Sequence, residues 1–95
     1  MRLISQDGTI DVPYDYFSLS VASGKHEDVE VAYIYCHNLS SPNGTKLAGY
    51  STKEKAIKAM EMLREAWVNG TVEFEDGIYH RNIVFQFPQD DEIEV

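Results

Sequence analysis

The chain reads as an α+β domain, a small antiparallel β-sheet of about five or six strands with one amphipathic helix packed on one face. Three observations carry this reading. Between Tyr50 and Gly70, apolar residues recur at helical spacing behind a capping signal. The stretches on either side alternate apolar and polar residues, as half-buried strands do. Tight-turn pairs, Asp7-Gly8, Asn43-Gly44 and Asp76-Gly77, separate those stretches.

In chain order, Met1 to Gln6, Asp7-Gly8 and Thr9 to Val12 predict a short hairpin, closed by Pro13, which has no N–H to give a ladder. Tyr14 to Val21 predicts a strand in which Phe17, Leu19 and Val21 alternate with Tyr16, Ser18 and Ser20. Ser23 to Asp28 is polar and predicts a loop. Val29 to Cys36 is the most strand-like stretch, with Val29, Val31, Tyr33 and Tyr35 on one face and Ala32, Ile34 and Cys36 on the other. Apolar residues on both faces predict a central strand, with Tyr33 and Tyr35 sharing in the core. Ser41-Pro42-Asn43-Gly44 predicts a turn and Lys46 to Tyr50 its returning strand.

The helix is predicted from Ser51 to about Val68. Ser51 stands as N-cap with Glu54 three residues on, a capping box. Ala56, Ala59, Met60, Leu63, Ala66 and Trp67 then share one side, while Glu54, Lys58, Glu61 and Glu65 fall opposite. Asn69-Gly70 supplies a stop through the left-handed geometry that glycine accepts. After it, Thr71 to Glu75, a turn at Asp76-Gly77, and Ile78 to Phe87 predict strands, with Arg81 interrupting the apolar face of the last. Pro88 ends the domain, so that residues 1–88 form one unit and 89–95 an acidic tail, too short to pack alone.

Ninety-five residues suffice for one hydrophobic core without disulfide or metal, and a single cysteine, Cys36, excludes an internal disulfide. Sixteen Asp and Glu against eight Lys and Arg give a net charge of −8, which argues against direct binding of a phosphate backbone and favours a protein partner. No apolar run approaches the length of a membrane span, and the start lacks the basic-then-apolar pattern of a signal peptide, so a cytoplasmic location is expected.

Three blocks of sequence have a further meaning. The opening Met1 to Tyr14 (MRLISQDGTIDVPY), the segment Leu47 to Ala66 (LAGYSTKEKAIKAMEMLREA) and the close Phe85 to Val95 (FQFPQDDEIEV) resemble a family of small uncharacterised proteins of Firmicutes, often carried by phage-derived or mobile elements. The resemblance covers about half of the chain and implies that cellular setting. It carries no activity and no functional residues.

The chemistry-bearing residues are sparse. Cys36-His37 is the pair that would suit a thiolate nucleophile, but neighbours on a strand point to opposite faces, and a buried structural cysteine is the plainer reading. Neither Asp7, Asp11 and Asp15 nor the acidic end has the register of a calcium loop, and one cysteine with three scattered histidines makes no zinc site. No catalytic residue, metal or cofactor is therefore expected. The suggestive feature is tyrosine: Tyr14, Tyr16, Tyr33 and Tyr35, with Trp67, form the candidate interaction surface, since aromatic side chains supply contact area at low entropic cost. The expected function is a non-enzymatic protein-interaction module that engages a protein, a second copy of itself included, through an uncovered sheet face or exposed edge. The alternative is an acidic inhibitor whose carboxylates imitate phosphates and occupy a basic protein's groove. That reading requires the carboxylates to gather on one face.

Overall fold

The computed structural model describes residues 1–38, 40–74, 77–80 and 83–95. It has the α+β architecture, with one helix and a mainly antiparallel sheet system. The largest sheet is a meander of β3 (Ser18–His26), β4 (Val29–Asn38) and β5 (Ser41–Tyr50), in that spatial order. The chain then enters α1 (Lys53–Asn69) and a hairpin of β6 (Thr71–Phe74) and β7 (Gly77–His80). A second three-stranded sheet joins the two ends of the chain: β1 (Arg2–Ile4) pairs antiparallel with β2 (Asp11–Pro13) and parallel with β8 (Val84–Gln86). No local pattern signals that last pairing, because the expected strand from Ile78 to Phe87 is two strands in two different sheets. Arg81, the expected interruption of its apolar face, lies outside the described residues.

Burial alternates from Val31 to Cys36 of β4, with Ala32, Ile34 and Cys36 buried and Val31, Tyr33 and Tyr35 not. The buried set faces Ala56, Ala59 and Leu63 of α1. Alanines on both sides of that contact let helix and sheet approach closely, and larger groups from Leu3, Phe87 and Ile93 fill the flanks. In β5, Ile34 faces Ala48 and Tyr35 faces Lys46, so Leu47 is an extra, bulged residue. The bulge breaks the alternation and lets both Leu47 and Ala48 enter the core.

Several boundaries differ from the sequence reading for identifiable reasons. Tyr14–Tyr16 is a 3-10 turn ahead of β3. The polar stretch from Ser23 continues as strand to His26, and the reversal is confined to Glu27 and Asp28, which take φ of 51° and 65° as a two-residue type I′ hairpin turn requires. Ser41 to Gly44 is no turn, because Ser41 already pairs with Asn38. Pro42, Asn43 and Gly44 instead bow out around the single residue His37.

The helix begins one residue later than its capping signal implied. Thr52 is the N-cap, its hydroxyl accepting from Lys55 N–H at 3.1 Å, while Ser51 donates its N–H and hydroxyl to the Asp90 carboxylate at 2.7 and 3.1 Å. At the other end, Gly70 has φ of −83°, so its lack of a side chain serves space: a Cβ there would lie 2.6 Å from Ile83 Cδ1.

Two residues clasp the C-terminal segment. The Gln6 side chain donates to the carbonyls of Gly49 (3.0 Å) and Pro88 (3.1 Å) and accepts from Gly49 N–H (3.0 Å), while Gln6 N–H donates to Leu47 C=O at 2.8 Å. One glutamine thus caps the free edge of β5 and ties it to both chain ends. Asp90 bridges Ser51 and the Lys55 ammonium, with Nζ to carboxylate at 3.1 Å. Residues Asp90–Glu92 form a 3-10 turn closed by Gln89 N–H donating to the Glu92 carboxylate, and Ile93 beyond it is 5% exposed. The acidic end is therefore docked on the core rather than trailing from it.

Candidate functional site

Because α1 covers one face of β3–β4–β5, the residues of opposite parity form an uncovered face. Along β4 these are Val29, Val31, Tyr33, Tyr35 and His37, a row of about 27 Å at the usual strand rise. Two glycines of β5 shape it. A Cβ on Gly49 would lie 3.2 Å from the Tyr33 ring, and one on Gly44, whose φ is 85°, would lie 2.5 Å from His37 Cε1. Both rings therefore lie down over bare backbone. Tyr35 stands between them, 6.2 Å from the Tyr33 ring centroid and 6.3 Å from that of His37. Lys46 Nζ sits 4.9 Å from the Tyr33 centroid, within cation–π range.

The His37 ring is held at both nitrogens. Nδ1 is 3.1 Å from Pro42 C=O, which can only accept, so in the neutral ring the proton sits there. Nε2, 2.7 Å from Ser20 Oγ, then accepts the serine hydroxyl. A serine hydrogen-bonded to an oriented imidazole is half of a nucleophilic centre. The ring's other nitrogen is held by a backbone carbonyl, Pro42 C=O, and not by a carboxylate. The bond is accounted for as the tether that lays the ring on Gly44. Near this end, Asn38 Oδ1 is buried with no hydrogen-bond partner among the described residues.

Charge is segregated about the sheet. The β3 residues on the uncovered face, from Ser18 to His26 in steps of two, are small or basic, and neither the β4 row nor Gly44, Lys46 and Gly49 adds a carboxylate. Glu30, of opposite parity, turns toward the helix and accepts Lys53 N–H at 3.1 Å. Carboxylates collect on the far side, where Glu65, Asp91, Glu92 and Glu94 border a groove with Lys58 and Met62.

The five aromatic residues singled out from sequence divide between these regions. Tyr33 and Tyr35 lie on the uncovered face, not in the core as their apolar strand face had implied. Tyr16, 76% exposed, borders an open concavity with Ser18, His37, Asn38 and Ser40 at one end of that face. Tyr14 and Trp67 meet in a tilted ring contact, centroids 5.1 Å apart, half-buried, and fasten the 3-10 turn to the end of α1. His37 was weighed only as a partner for Cys36, and Ser20 and the two glycines were not foreseen. Their roles depend on which β5 residue faces which β4 residue, and the bulge at Leu47 sets that register.

Cys36 lies on the core side at 1% exposure, opposite His37, and burial pushes its thiol above the usual range. It does not offer the accessible thiolate a cysteine nucleophile needs. Among the described residues no three His, Cys, Asp or Glu side chains are grouped to hold a metal ion, and no helix is long and apolar enough to cross a membrane. Compared with family models, curated proteins and solved structures, the chain matches none.

Proposed function

We propose that the protein is a non-enzymatic protein-interaction module that engages its partner through the uncovered face of β3–β4–β5. The observation that carries this reading is the row Tyr33, Tyr35 and His37, laid over Gly49 and Gly44 on a face free of carboxylates. Tyrosine, serine and glycine on a rigid scaffold are the chemistry of protein recognition surfaces: large contact area, hydroxyls for orientation, little entropy to lose. A face of about 27 Å by three strand spacings offers on the order of 400 Å², half of one side of a standard interface. A single copy therefore suits a transient contact. The buried, lone cysteine fits a reducing, cytoplasmic setting.

The test is site-specific photo-crosslinking in bacterial lysate, with the photoreactive group at Tyr35 or, as control, at Glu61 on the outer surface of α1. A discrete protein adduct from Tyr35 only, lost in the Tyr33→Ser background, is the expected outcome. Identical adducts from both positions, or none from Tyr35, would sink the proposal.

The carboxylates gathered around the groove of α1 and the C-terminal segment favour a second reading, an acidic surface that occupies a basic protein's groove. A setting in phage-derived or mobile elements, implied by the resemblance, agrees with it. Here the adduct would come from Glu61 rather than Tyr35, and its yield would fall steeply with salt.

A further inference from the structure

Among the described residues, the outer edge of β3 is unpaired over nine residues. In a two-residue hairpin the pair flanking the turn is hydrogen-bonded, here His26 and Val29, so the even-numbered residues of β3 spend their backbone groups on β4. Leu19, Val21, Ser23 and Lys25 therefore present N–H and C=O outward, and no backbone partner meets them among the described residues. Directly beneath this edge, between β3 and α1, runs a groove lined by Phe17, Leu19, Met60 and Leu63, with Asp15 and Arg64 at its rim. Leu19 and Val21 are only half-buried, and Ile57 of α1 is 40% exposed. An open edge above an apolar strand–helix groove is the geometry that accepts an added strand, whose backbone pairs with the edge while alternate side chains enter the groove.

We propose that the strand added to β3 is β3 of a second copy, antiparallel about a two-fold axis through Ser20, giving a continuous six-stranded sheet with both helices on one side. Three features select this occupant and register. Leu19 of each copy falls opposite Val21 of the other, closing the uncovered flank of both cores. Lys25, the one ammonium on β3, lies beyond the start of the partner's strand, at the level of the 3-10 turn that carries Asp15, two opposite-charge pairs per dimer. On the outer face Ser20 meets Ser20 and Ser18 meets Ala22 without steric conflict, and Gly24, with nothing within 4 Å of where its Cβ would lie, leaves room for Tyr16 of the second copy. The pairing also sets the two aromatic faces side by side, doubling about 400 Å² to about 800 Å², one side of a standard interface. It involves a different surface from the one proposed above and does not rest on it.

Sedimentation equilibrium of the full chain from micromolar to millimolar concentration tests this. The expected result is a dimer that Lys25→Asp and Asp15→Lys each weaken about tenfold, each substitution counting twice across the axis. The double swap restores it. Ser23→Pro, which deletes an outward N–H that β4 does not use, abolishes it while leaving the circular dichroism spectrum unchanged. Ser20 lies at the axis in a pair with Cα atoms about 4.5 Å apart, so Ser20→Cys cross-links under oxidised glutathione, whereas the wild type, with Cys36 buried, does not. A monomer throughout the range overturns the proposal. So does a dimer indifferent to Lys25→Asp, Ser23→Pro and Ser20→Cys but broken by Tyr35→Ser, which would place self-association on the aromatic face instead.

Discussion

Replacing Gln6 by alanine tests the strongest structural claim, that one side-chain amide joins both chain ends to the free edge of β5. Three hydrogen bonds disappear, to Gly49 C=O, Gly49 N–H and Pro88 C=O, at 3.0, 3.0 and 3.1 Å. Each is worth about 1 kcal/mol net, and a partly buried backbone group left unpaired costs more than that. Pro88 C=O keeps the Tyr50 hydroxyl at 2.8 Å, and water reaches part of the site, which trims the sum. The expected loss is about 2–3 kcal/mol, or on the order of 10–20 °C in midpoint for a domain of this size. Gln6→Glu is the sharper variant, because its carboxylate can accept from Gly49 N–H but sets an anionic oxygen against two carbonyls. At neutral pH it should be at least as unstable as the alanine variant. Urea unfolding followed by tryptophan fluorescence measures both, since Trp67 is the only tryptophan. A Gln6→Ala midpoint corresponding to less than about 0.5 kcal/mol of destabilisation, with unchanged slope, would refute the reasoning.

Three other perturbations follow from the geometry. Asp7 accepts from Thr9 Oγ1, Ser5 Oγ and Thr9 N–H, which lowers its carboxyl from 3.8 to about 2, so the unfolded chain binds that proton more readily. Asp90 is lowered too, mainly by Ser51 N–H. Asp7 contributes stability that is present above its unfolded value of 3.8 and is lost as pH falls toward 2, Asp90 acts in the same direction, and Asp7→Asn should flatten the loss; parallel wild-type and variant stability curves there would contradict it. Asp90→Ala should cost about 1 kcal/mol, mostly from the orphaned Ser51 N–H rather than the exposed ion pair, and should speed hydrogen exchange at Ile93 N–H. The paired substitution of Glu27→Asn with Asp28→Gly should stabilise by about 1 kcal/mol, because both turn residues hold positive φ at a cost that an Asn-Gly pair largely avoids; an unchanged denaturation midpoint would show that the turn is unstrained.

The helix was legible because its signals are local: a stripe at 3.6-residue spacing, a hydroxyl at the start, glycine at the end. Its first residue was not, since the choice between Ser51 and Thr52 as cap depends on Asp90, 39 residues away in the chain. The Asp7-Gly8 hairpin was legible for the same reason as the stripe, with Gly8 at φ of 78°. The candidate site was half legible. Tyr33 and Tyr35 stood out by type, but both faces of β4 are apolar, and periodicity says only which residues share a face, never which face is covered.

Amino-acid order alone determined the α+β class, the helix and the mainly antiparallel pairing, because propensity, capping and alternation act over a few residues. The packed structure decided that Ala32, Ile34 and Cys36 meet the alanines of α1 while Tyr33 and Tyr35 stay half-buried on the uncovered face. It likewise decided the bulge at Leu47 that brings glycines under Tyr33 and His37, the parallel pairing of β1 with β8, and the docking of Ile93. Each of these is a contact between segments distant in the chain. Such contacts are selected by volume and by the satisfaction of polar groups in three dimensions, which no local pattern records.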